Sequence, residues 1–342
     1  MASDNRQVAF FEIEPWQQDY LAAQLPNLTL RFFAEPLDER SASKVHDVPL
    51  TSVFIRSRLS RDVLNRLPTL RFIATRSTGV DHIDLEAAAE RGIIVSNVPG
   101  YGENTVAEHT FGLILSLSRK IIQAYRHALE GRVSLESLMG FDLKGKTLGV
   151  VGAGRIGLHV IRIARGFDMN VLTYDVRPQR LLAEVLDFDY VPLKELLQRS
   201  DIVTLHSPHT PETHHLMNRE RFALLKRGAL LINTARGELV DTDALLWALN
   251  EGFLAGAGLD VVEGEELVAE EDRLLATPAA EDKLRTLLRH HVLLRYENVI
   301  ITPHIAFYSR EAVQRILDTT VSNICCFLAG HPENVVPGGS QG

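Results

Sequence analysis

Cysteine is nearly absent from this sequence, which has only Cys325 and Cys326 among its 342 residues. Adjacent cysteines rarely bridge each other, so a disulfide framework is excluded and a reducing compartment is expected. The chain also lacks any run of about 18 apolar residues, so no segment is predicted to cross a bilayer. The N-terminus lacks the pattern of a signal peptide. These absences together predict a cytoplasmic protein.

An excess of positive charge is missing as well. Lys and Arg number 36 against 44 Asp and Glu, and the formal net charge is −8. A nucleic-acid-binding surface needs the opposite balance, so no nucleic-acid partner is predicted. The composition is that of an ordinary globular protein, with 45% hydrophobic residues. At roughly 150 residues per domain, the length predicts about two domains.

Short β-type runs alternate with helical patterns over the first hundred residues. Strands are predicted at 8–13, 28–33, 52–55, 70–74 and 93–98. Such alternation implies crossover connections and a parallel sheet. Apolar residues then recur at helical spacing over 104–125, which predicts one long helix with Asn104 as its N-cap.

A second series of strands follows this helix. The strands are predicted at 147–151, 171–174, 202–205, 229–233, 255–259 and 299–301. Six strands in series are typical of a doubly wound nucleotide-binding domain. The last helix, predicted at about 310–328, is too small to stand alone and is expected to pack back on the first domain. The predicted domains are therefore 1–102 with 303–335, and an inserted domain at 103–302.

A glycine-rich turn begins the second series. Gly152, Gly154 and Gly157 follow a β run and open a helix. The first glycine allows the tight turn, the second lets a pyrophosphate approach the backbone, and the third lets helix and strand pack closely. The helix N-terminus offers free N–H groups to the phosphates. This pattern predicts a dinucleotide site.

Asp175 ends the next strand, 18 residues after Gly157. A carboxylate there accepts hydrogen bonds from ribose hydroxyls and repels a 2′-phosphate, so NAD is favoured over NADP. Arg177 and Arg180 keep the NADP alternative open, because either side chain could pair with a phosphate.

Three polar residues stand just beyond predicted strands: Arg236, Glu265 and His304. Ligands of open α/β sheets bind beyond the carboxyl ends of the strands. Arg holds carboxylate and carbonyl oxygens, and His donates a proton to a forming alkoxide. A carboxylate on the second ring nitrogen fixes the tautomer and favours the charged ring. The three residues predict hydride transfer coupled to proton transfer on a 2-keto acid.

The chain resembles the D-isomer-specific 2-hydroxyacid dehydrogenase family. The segments that carry the resemblance are RSTGVD at 76–81, NVP at 97–99, VAEH at 106–109, the fingerprint, TARG at 234–237, LDV at 259–261 and TPH at 302–304. Tyr101 and the segment 305–308 are most similar to the D-lactate dehydrogenase branch. The fold implied is α/β, with two doubly wound parallel-sheet domains, a Rossmann cofactor domain inserted in a flavodoxin-like substrate domain.

The resemblance also implies roles for single residues. It makes His304 the acid and base, Glu265 its partner and Arg236 the substrate anchor. It assigns the substrate carboxylate to the backbone amides of Thr78 and Gly79. The reaction implied is the NAD-dependent reduction of short 2-keto acids such as pyruvate to D-2-hydroxy acids by a homodimer.

Further residues are implied to line the two ligands. Tyr101 and Phe307 would present aromatic surface to the substrate, and Asp260 would lie near the nicotinamide amide. The cofactor-lining residues are Val106, Gly152, Gly154, Arg155, Ile156, Gly157, Asp175, Ser207, Pro208, Thr213, Thr234, Ala235 and Asp260. No metal is predicted, because the side chains of the adjacent pairs 214–215 and 290–291 are expected to diverge.

Two features leave the substrate open. Glu266 and Leu267 stand where the family often has proline, and a charged stretch follows at 270–295. We expect this stretch to form a loop that reshapes the substrate site or carries a short helix. A glyoxylate or hydroxypyruvate reductase, an enzyme for a phosphorylated acid, and an NAD-sensing corepressor remain alternatives.

Overall fold

The chain forms two compact units in this computed structural model, which describes residues 6–132, 134–265, 267 and 281–337. The first unit comprises Met1–Tyr101 and Ser309–Gly342, and the second comprises Gly102–Tyr308. The second unit is therefore an insertion in the first. The chain passes between the units at 101/102 and 308/309, compared with predicted boundaries at 102/103 and 302/303.

Each unit is built on a parallel sheet. Among the described residues, the first unit has strands β1 (Gln7–Phe10), β2 (Thr29–Phe32), β3 (Leu50–Val53), β4 (Phe72–Thr75) and β5 (Ile94–Ser96). The second has β6 (Thr147–Val151), β7 (Asn170–Tyr174), β8 (Asp189–Tyr190), β9 (Ile202–Leu205), β10 (Ala229–Asn233), β11 (Leu254–Leu259) and β12 (Val299–Ile301). The orders are β2-β1-β3-β4-β5 and β12-β11-β10-β9-β6-β7-β8. The first is the flavodoxin-like order, and the second extends the Rossmann order by one strand.

Helices connect the strands in both units. They are α1 (Pro15–Gln24), α2 (Arg61–Asn65), α3 (Leu85–Glu90), α4 (Glu103–Ser118), α5 (Ile121–Leu129), α6 (Arg155–Gly166), α7 (Arg180–Leu186), α8 (Leu193–Arg199), α9 (Arg219–Phe222), α10 (Thr242–Asn250), α11 (Glu281–Leu293) and α12 (Arg310–Leu328). No described helix combines the length and the apolar character that crossing a membrane requires.

Both faces of each sheet are covered by apolar residues. In β6, Val150 packs into the core beneath α4 and α6, while its neighbour Val151 packs into the core on the opposite face. In β1, the neighbours Phe10 and Ala9 likewise pack into different cores, one on each face of the sheet. Alternate residues of a strand point to opposite faces, so two-sided burial explains the continuous apolar runs in the sequence.

The prediction of one helix over 104–125 is wrong. The structure has two helices there, because Lys120 adopts a left-handed conformation with φ of 53° and ends the first of them. Asn104 is not the N-cap, since Gly102 occupies that position and the Asn104 side chain donates instead to Glu108. The N-cap lies two residues earlier than predicted because the chain leaves the turn at Gly102.

One further difference from the prediction concerns a short strand. β8 pairs with β7 at the edge of the second sheet and was not predicted, because two residues are too few for a periodic pattern. Within the charged stretch at 270–295, residues 281–293 form α11, in agreement with the predicted alternative that this stretch carries a helix. Residues 268–280 lie outside the described part of the chain.

Candidate active site

The carboxyl ends of neighbouring strands bring several predicted site residues to one edge of the second sheet. In the ladder, Asn233 at the end of β10 is paired with Leu259 of β11, and Leu259 with Ile301 of β12. The segments after these three strands carry Arg236, Asp260 and His304. Because the strands are parallel and adjacent, the three segments leave the sheet side by side.

His304 and Glu265 form a direct pair. Nδ1 of His304 lies 2.6 Å from Oε1 of Glu265, and both side chains are about one third exposed. This contact gives Nδ1 the proton of the neutral ring and leaves Nε2 to exchange a proton with a ligand. His304 has a φ of 53°, which is uncommon for a residue other than glycine. Such backbone strain often occurs at functional positions.

Asp260 holds the segment that carries His304. Its carboxylate is 1% exposed and accepts from the backbone amides of Ile305 at 2.9 Å and Ala306 at 2.8 Å. The hydroxyl of Thr302 donates to it at 2.5 Å, and the amide of His304 donates to its backbone carbonyl at 2.9 Å. Asp260 therefore fixes both sides of His304, a role that the cofactor prediction did not include.

Arg236 stands in a turn that Asn233 stabilises. The Asn233 side chain is fully buried, accepts from the amide of Ala235 at 3.1 Å and donates to the carbonyl of Arg236 at 2.8 Å. The Arg236 guanidinium donates to the carbonyl of Ala235 at 2.7 Å. The turn thus sets the direction in which the partly buried Arg236 leaves the strand end.

A second carboxylate, Glu263, precedes Glu265 by two residues and is bound on both oxygens. His215 Nε2 lies 2.7 Å from Oε1, and the Thr242 hydroxyl donates to Oε2 at 3.0 Å. Burial opposes ionisation of Glu263, but these hydrogen bonds outweigh it and keep its pKa below the ordinary value. Buried His290 contacts the Glu263 carbonyl at 2.8 Å. These contacts fix the turn that leads into Glu265.

The expected divergence of the adjacent histidines is wrong for one pair. The rings of His214 and His215 stack with centroids 4.0 Å apart. His215 has a φ of 49°, and this left-handed conformation turns its ring back against its neighbour.

The glycine-rich turn after β6 has the shape that a pyrophosphate requires. A Cβ on Gly152 would lie 2.8 Å from the backbone of His206, and one on Gly157 would lie 2.0 Å from the carbonyl oxygen of Gly152. Gly154 is the N-cap of α6, and a Cβ there would meet no atom of the described chain within 4 Å. Two glycines therefore serve packing, and the third keeps open the space in front of the helix N-terminus.

Polar groups around this turn suit a dinucleotide. Asp175 accepts from the amides of Ala153 and Arg177, each at 2.7 Å, and each carboxylate oxygen retains a lone pair for a ribose hydroxyl. The Ser207 hydroxyl oxygen is buried and has no hydrogen-bonding partner among the described residues. Thr213 donates to the carbonyl of Pro208 at 2.7 Å and so closes the loop after β9.

The other predicted cofactor residues lie in the same unit. Thr234 is buried, and its hydroxyl lies 3.0 Å from that of Thr110, one turn after Val106 on α4. Arg155 is exposed and lies 3.4 Å from a carboxylate oxygen of Glu103. Ile156 follows it on the first turn of α6 and packs against the core beneath α4.

The predicted substrate residues divide between the units. In the first unit, Thr78 and Gly79 follow β4, and their amides have no acceptor among the described residues. Buried Arg76 donates to the Ser52 hydroxyl at 3.0 Å and to backbone carbonyls after β1, so it fixes the start of this turn. Burial lowers the pKa of Arg76 to about 10, so it stays charged. The Tyr101 carbonyl accepts from Arg315 at 2.7 Å in the same unit.

Phe307 belongs to the second unit and is 7% exposed. Its ring meets that of Tyr308 edge to face, with centroids 5.7 Å apart, and its Cβ lies close to Gly102.

Comparison with known proteins identifies this arrangement. Residues 111–306 match the family model described as the D-isomer specific 2-hydroxyacid dehydrogenase, NAD binding domain. A 2-hydroxyacid dehydrogenase homolog of Haemophilus influenzae is 40% identical over 313 residues, 91% of this chain and 92% of its own. The chain belongs to the D-2-hydroxyacid dehydrogenase family.

Two further relatives of this dehydrogenase carry different names. A glyoxylate reductase of Korarchaeum cryptofilum is 34% identical over 95% of this chain and 90% of its own. The structure of a D-lactate dehydrogenase of Aquifex aeolicus complexed with NAD and lactic acid is 38% identical, with a TM-score of 0.86 over 97% of this chain and 100% of that one. The family match makes this chain an NAD-dependent dehydrogenase, and the likeness to the Aquifex aeolicus structure supports both doubly wound domains.

Sequence reasoning assigned no role to several residues that position the dehydrogenase site. His109 contacts the Thr302 hydroxyl at 3.0 Å and lies 3.5 Å from the Asp260 carboxylate. Asn233 and Glu263 hold the turns before Arg236 and Glu265. The signal that could have indicated Asn233 is an amide side chain at the end of a buried strand. No such local signal exists for His109, because its contact joins residues 193 positions apart.

Proposed function

We propose that this dehydrogenase reduces pyruvate and similar short, unphosphorylated 2-keto acids to D-2-hydroxy acids. The observation that carries the proposal is the His304–Glu265 pair at 2.6 Å, on the sheet edge that also bears Arg236. A proton donor and a fixed cation at the carboxyl ends of the strands are what reduction of a keto acid needs from the protein.

The proposed chemistry divides between cofactor and chain. NADH, when bound, supplies the hydride for the carbonyl carbon. His304, in its charged form, donates the Nε2 proton to the carbonyl oxygen, so that a hydroxyl forms and the ring becomes neutral. Glu265 stabilises the charged ring through Nδ1, and Arg236 pairs with the negative oxygens of the substrate. In the reverse direction His304 removes the same proton.

For the substrate carboxylate we propose the backbone amides of Thr78 and Gly79, supported by their lack of acceptors among the described residues. For the group beyond the carbonyl we propose apolar contacts with the rings of Tyr101 and Phe307. An apolar wall favours a methyl group and disfavours phosphate, whose unpaired burial is costly. The kcat/KM values of 2-keto acids that differ by one methylene should differ only modestly, since a methylene in an apolar pocket is worth about 1–3 kcal/mol.

One alternative substrate has specific support, because a relative named glyoxylate reductase covers nearly the whole chain. A glyoxylate reductase would use the same His304 and Arg236 on a smaller acid. An NAD-sensing binding protein would bind NADH without turnover.

The deciding experiment measures NADH oxidation over a panel of pyruvate, 2-oxobutyrate, glyoxylate, hydroxypyruvate and its 3-phosphate. We expect the highest kcat/KM with pyruvate and a D-configured product. His304→Ala should lower kcat by about 10²–10⁴-fold, the usual span for a lost general acid. Exposed His46→Ala, in the first unit, is the control and should leave kcat unchanged.

Each other result of the panel has a definite meaning. A preference for glyoxylate supports the reductase alternative, and NADH binding without turnover supports the binding protein. A preference for the phosphorylated acid, an L-configured product or full activity of His304→Ala contradicts the proposal.

We further propose a homodimer formed through α5. Ile121, Tyr125 and Leu129 recur every four residues along this helix and are 51%, 64% and 70% exposed. Leu135 and Met139, on the segment that follows, are more exposed still. So large an apolar surface is unusual on a monomer and fits a second copy of the same chain. A reducing, cytoplasmic setting is proposed because both cysteines are free thiols.

A further inference from the structure

Three side chains with metal-binding chemistry meet at the C-terminal end of α12. Cys326 lies in the last turn of this helix, and His331 and Glu333 lie in the chain that follows. Their possible ligand atoms, one thiol, one imidazole nitrogen and one carboxylate oxygen, all lie within 4.8 Å of one another. These residues belong to the first unit, whereas the proposed proton donor and substrate anchor belong to the second.

The backbone holds the three residues in this arrangement. Gly330 turns the chain with a φ of 86°, and the amide of His331 donates to the carbonyl of Cys326 at 3.0 Å. The Ser96 hydroxyl donates to the carbonyl of Glu333 at 2.7 Å, which ties the turn to β5. Only the side chains have to move when a ligand binds.

Little competes for these side chains. Among the described residues, the His331 ring and the Glu333 carboxylate have no hydrogen-bonding or ionic partner. The Cys326 thiol makes a weak contact, with its Sγ 4.0 Å from the Ser322 hydroxyl. Cys326 is partly buried and the other two are exposed, so an ion would arrive from solvent without opening the fold.

The donor set selects the class of ion. Sulfur and imidazole ligands disfavour Mg²⁺ and Ca²⁺, which take oxygen, and favour Zn²⁺. Ligand atoms on one tetrahedral zinc ion lie roughly 3.3–3.8 Å apart, given bonds of about 2.0–2.3 Å. Side-chain rotation therefore has to bring together by about 1–1.5 Å atoms that lie up to 4.8 Å apart. Three protein ligands leave a fourth position for water.

We propose that Cys326, His331 and Glu333 form a zinc-class metal site. Binding displaces the thiol proton of Cys326 to solvent, because only the thiolate coordinates. Sequence inspection found no such site, since it considered adjacent histidines, whereas this set spans eight positions and depends on the turn at Gly330.

The test is a titration of untagged, metal-free protein with Co²⁺, followed by the thiolate-to-cobalt charge-transfer absorption. We expect one equivalent to bind and added Zn²⁺ to remove the absorption. Cys326→Ser should abolish it, and His331→Ala or Glu333→Gln should weaken binding by more than about tenfold, the least that loss of an outer-shell partner costs.

Cys325 provides the matched control. It is adjacent on α12 but is not one of the three residues whose ligand atoms converge, and it lines a cavity of about 760 Å³ together with Arg6 and Arg71. Cys325→Ser should therefore keep the full absorption and stoichiometry. No absorption in the wild type, absorption that survives in Cys326→Ser, or loss of the absorption in Cys325→Ser would each overturn the proposal. None of these readouts depends on dehydrogenase turnover.

Discussion

Asp260 shows how one buried side chain can position another, here His304, the proposed proton donor. Its carboxylate accepts three hydrogen bonds from the segment 302–306, on both sides of His304. Asp260→Asn replaces one acceptor oxygen by a donor that faces an N–H or O–H group, so the segment must shift. We expect kcat to fall by about 10–100-fold, since a displacement near 1 Å has that effect. Steady-state kinetics measure it.

The matched control for this change is Asp243→Asn. Asp243 is exposed and pairs with Arg289 on the surface of the same unit, so its loss should leave kcat unchanged. Thermal unfolding of both variants separates misplacement of His304 from a general loss of structure. An Asp260→Asn enzyme with wild-type kcat would show that the hydrogen bonds do not position His304.

His206 should make the protein sensitive to mild acid. Burial lowers its pKa to about 3, and its Nδ1 has no hydrogen-bonding partner among the described residues. The unfolded chain takes up this proton near pH 6.5, so the stabilisation is fully present above that pH and is lost as the pH falls towards 3. Between pH 7 and 5, His206 should account for about 1–2 kcal/mol of the lost free energy of unfolding.

Urea unfolding of the His206→Gln variant at pH 7 and at pH 5 measures the contribution of His206 to this loss of stability. Gln keeps a polar group near Thr204, which contacts the imidazole at 2.9 Å, but it cannot take up a proton. The variant should lose less stability on acidification than the wild type, while exposed His46→Gln should behave like the wild type. Equal losses in all three proteins would contradict the prediction.

Residues beyond strand ends are the part of the candidate site that the sequence indicated most directly. Arg236, Glu265 and His304 each follow an apolar strand near a dinucleotide fingerprint, and the structure brings His304 within 2.6 Å of Glu265, while their catalytic roles stay predictions. The hydrogen bonds of Asp260 were not predictable, because they join residues 42 to 46 positions apart through a turn whose geometry no periodic pattern shows.

At the scale of single elements, glycine substitutions in α6 and in the turn before it should affect folding and cofactor binding separately. Gly157→Ala places a Cβ 2.0 Å from the carbonyl oxygen of Gly152, so helix and strand must separate. Overpacking of this kind costs about 1–3 kcal/mol, and the Tm should fall. Gly154→Ala meets no described atom, so the Tm should stay nearly unchanged while NADH affinity falls by about tenfold or more.

Differential scanning fluorimetry and NADH fluorescence titration read the two effects. Gly166→Ala, at the end of the same helix and also clear of neighbours, is the control and should retain NADH affinity. Unchanged NADH affinity in Gly154→Ala would show that the pyrophosphate does not bind in the space in front of α6.

Element boundaries were predictable where burial sets the pattern. The predicted strands 147–151, 202–205, 229–233 and 299–301 agree with the structure residue for residue. The first three are almost wholly buried inside the sheet, whereas the last is an edge strand that is only partly buried. The end of α4 was not predictable, because no glycine or proline marks it. Lys120 takes the left-handed conformation that glycine usually provides, and tertiary packing decides the break.

At the scale of the whole molecule, the apolar stripe on α5 predicts the oligomeric state. The double substitution Ile121→Asp with Tyr125→Asp introduces two charges into each copy. Because both copies of a symmetric dimer contribute the same surface, the interface receives the charges from both sides and should be disrupted. Light scattering coupled to size-exclusion chromatography should give a dimer for the wild type and a monomer for the double variant.

The control is Leu181→Asp on α7, which removes an apolar residue 71% exposed on the same unit. This variant should remain a dimer. A monomeric wild type, or a double variant that still dimerises, would contradict the role proposed for α5.

The insertion of one unit in the other favours one order of folding. The first unit is complete only when α12 packs on it, where Phe327 stacks on Phe72 with ring centroids 4.3 Å apart. Closing so long a flexible loop costs on the order of 5 kcal/mol of chain entropy. The ends of the inserted unit already meet, because Gly102 lies against Phe307, so folding this unit first removes most of that cost. On the ribosome, the segment synthesised first therefore completes its structure last, after the inserted unit has brought the two halves of its chain together.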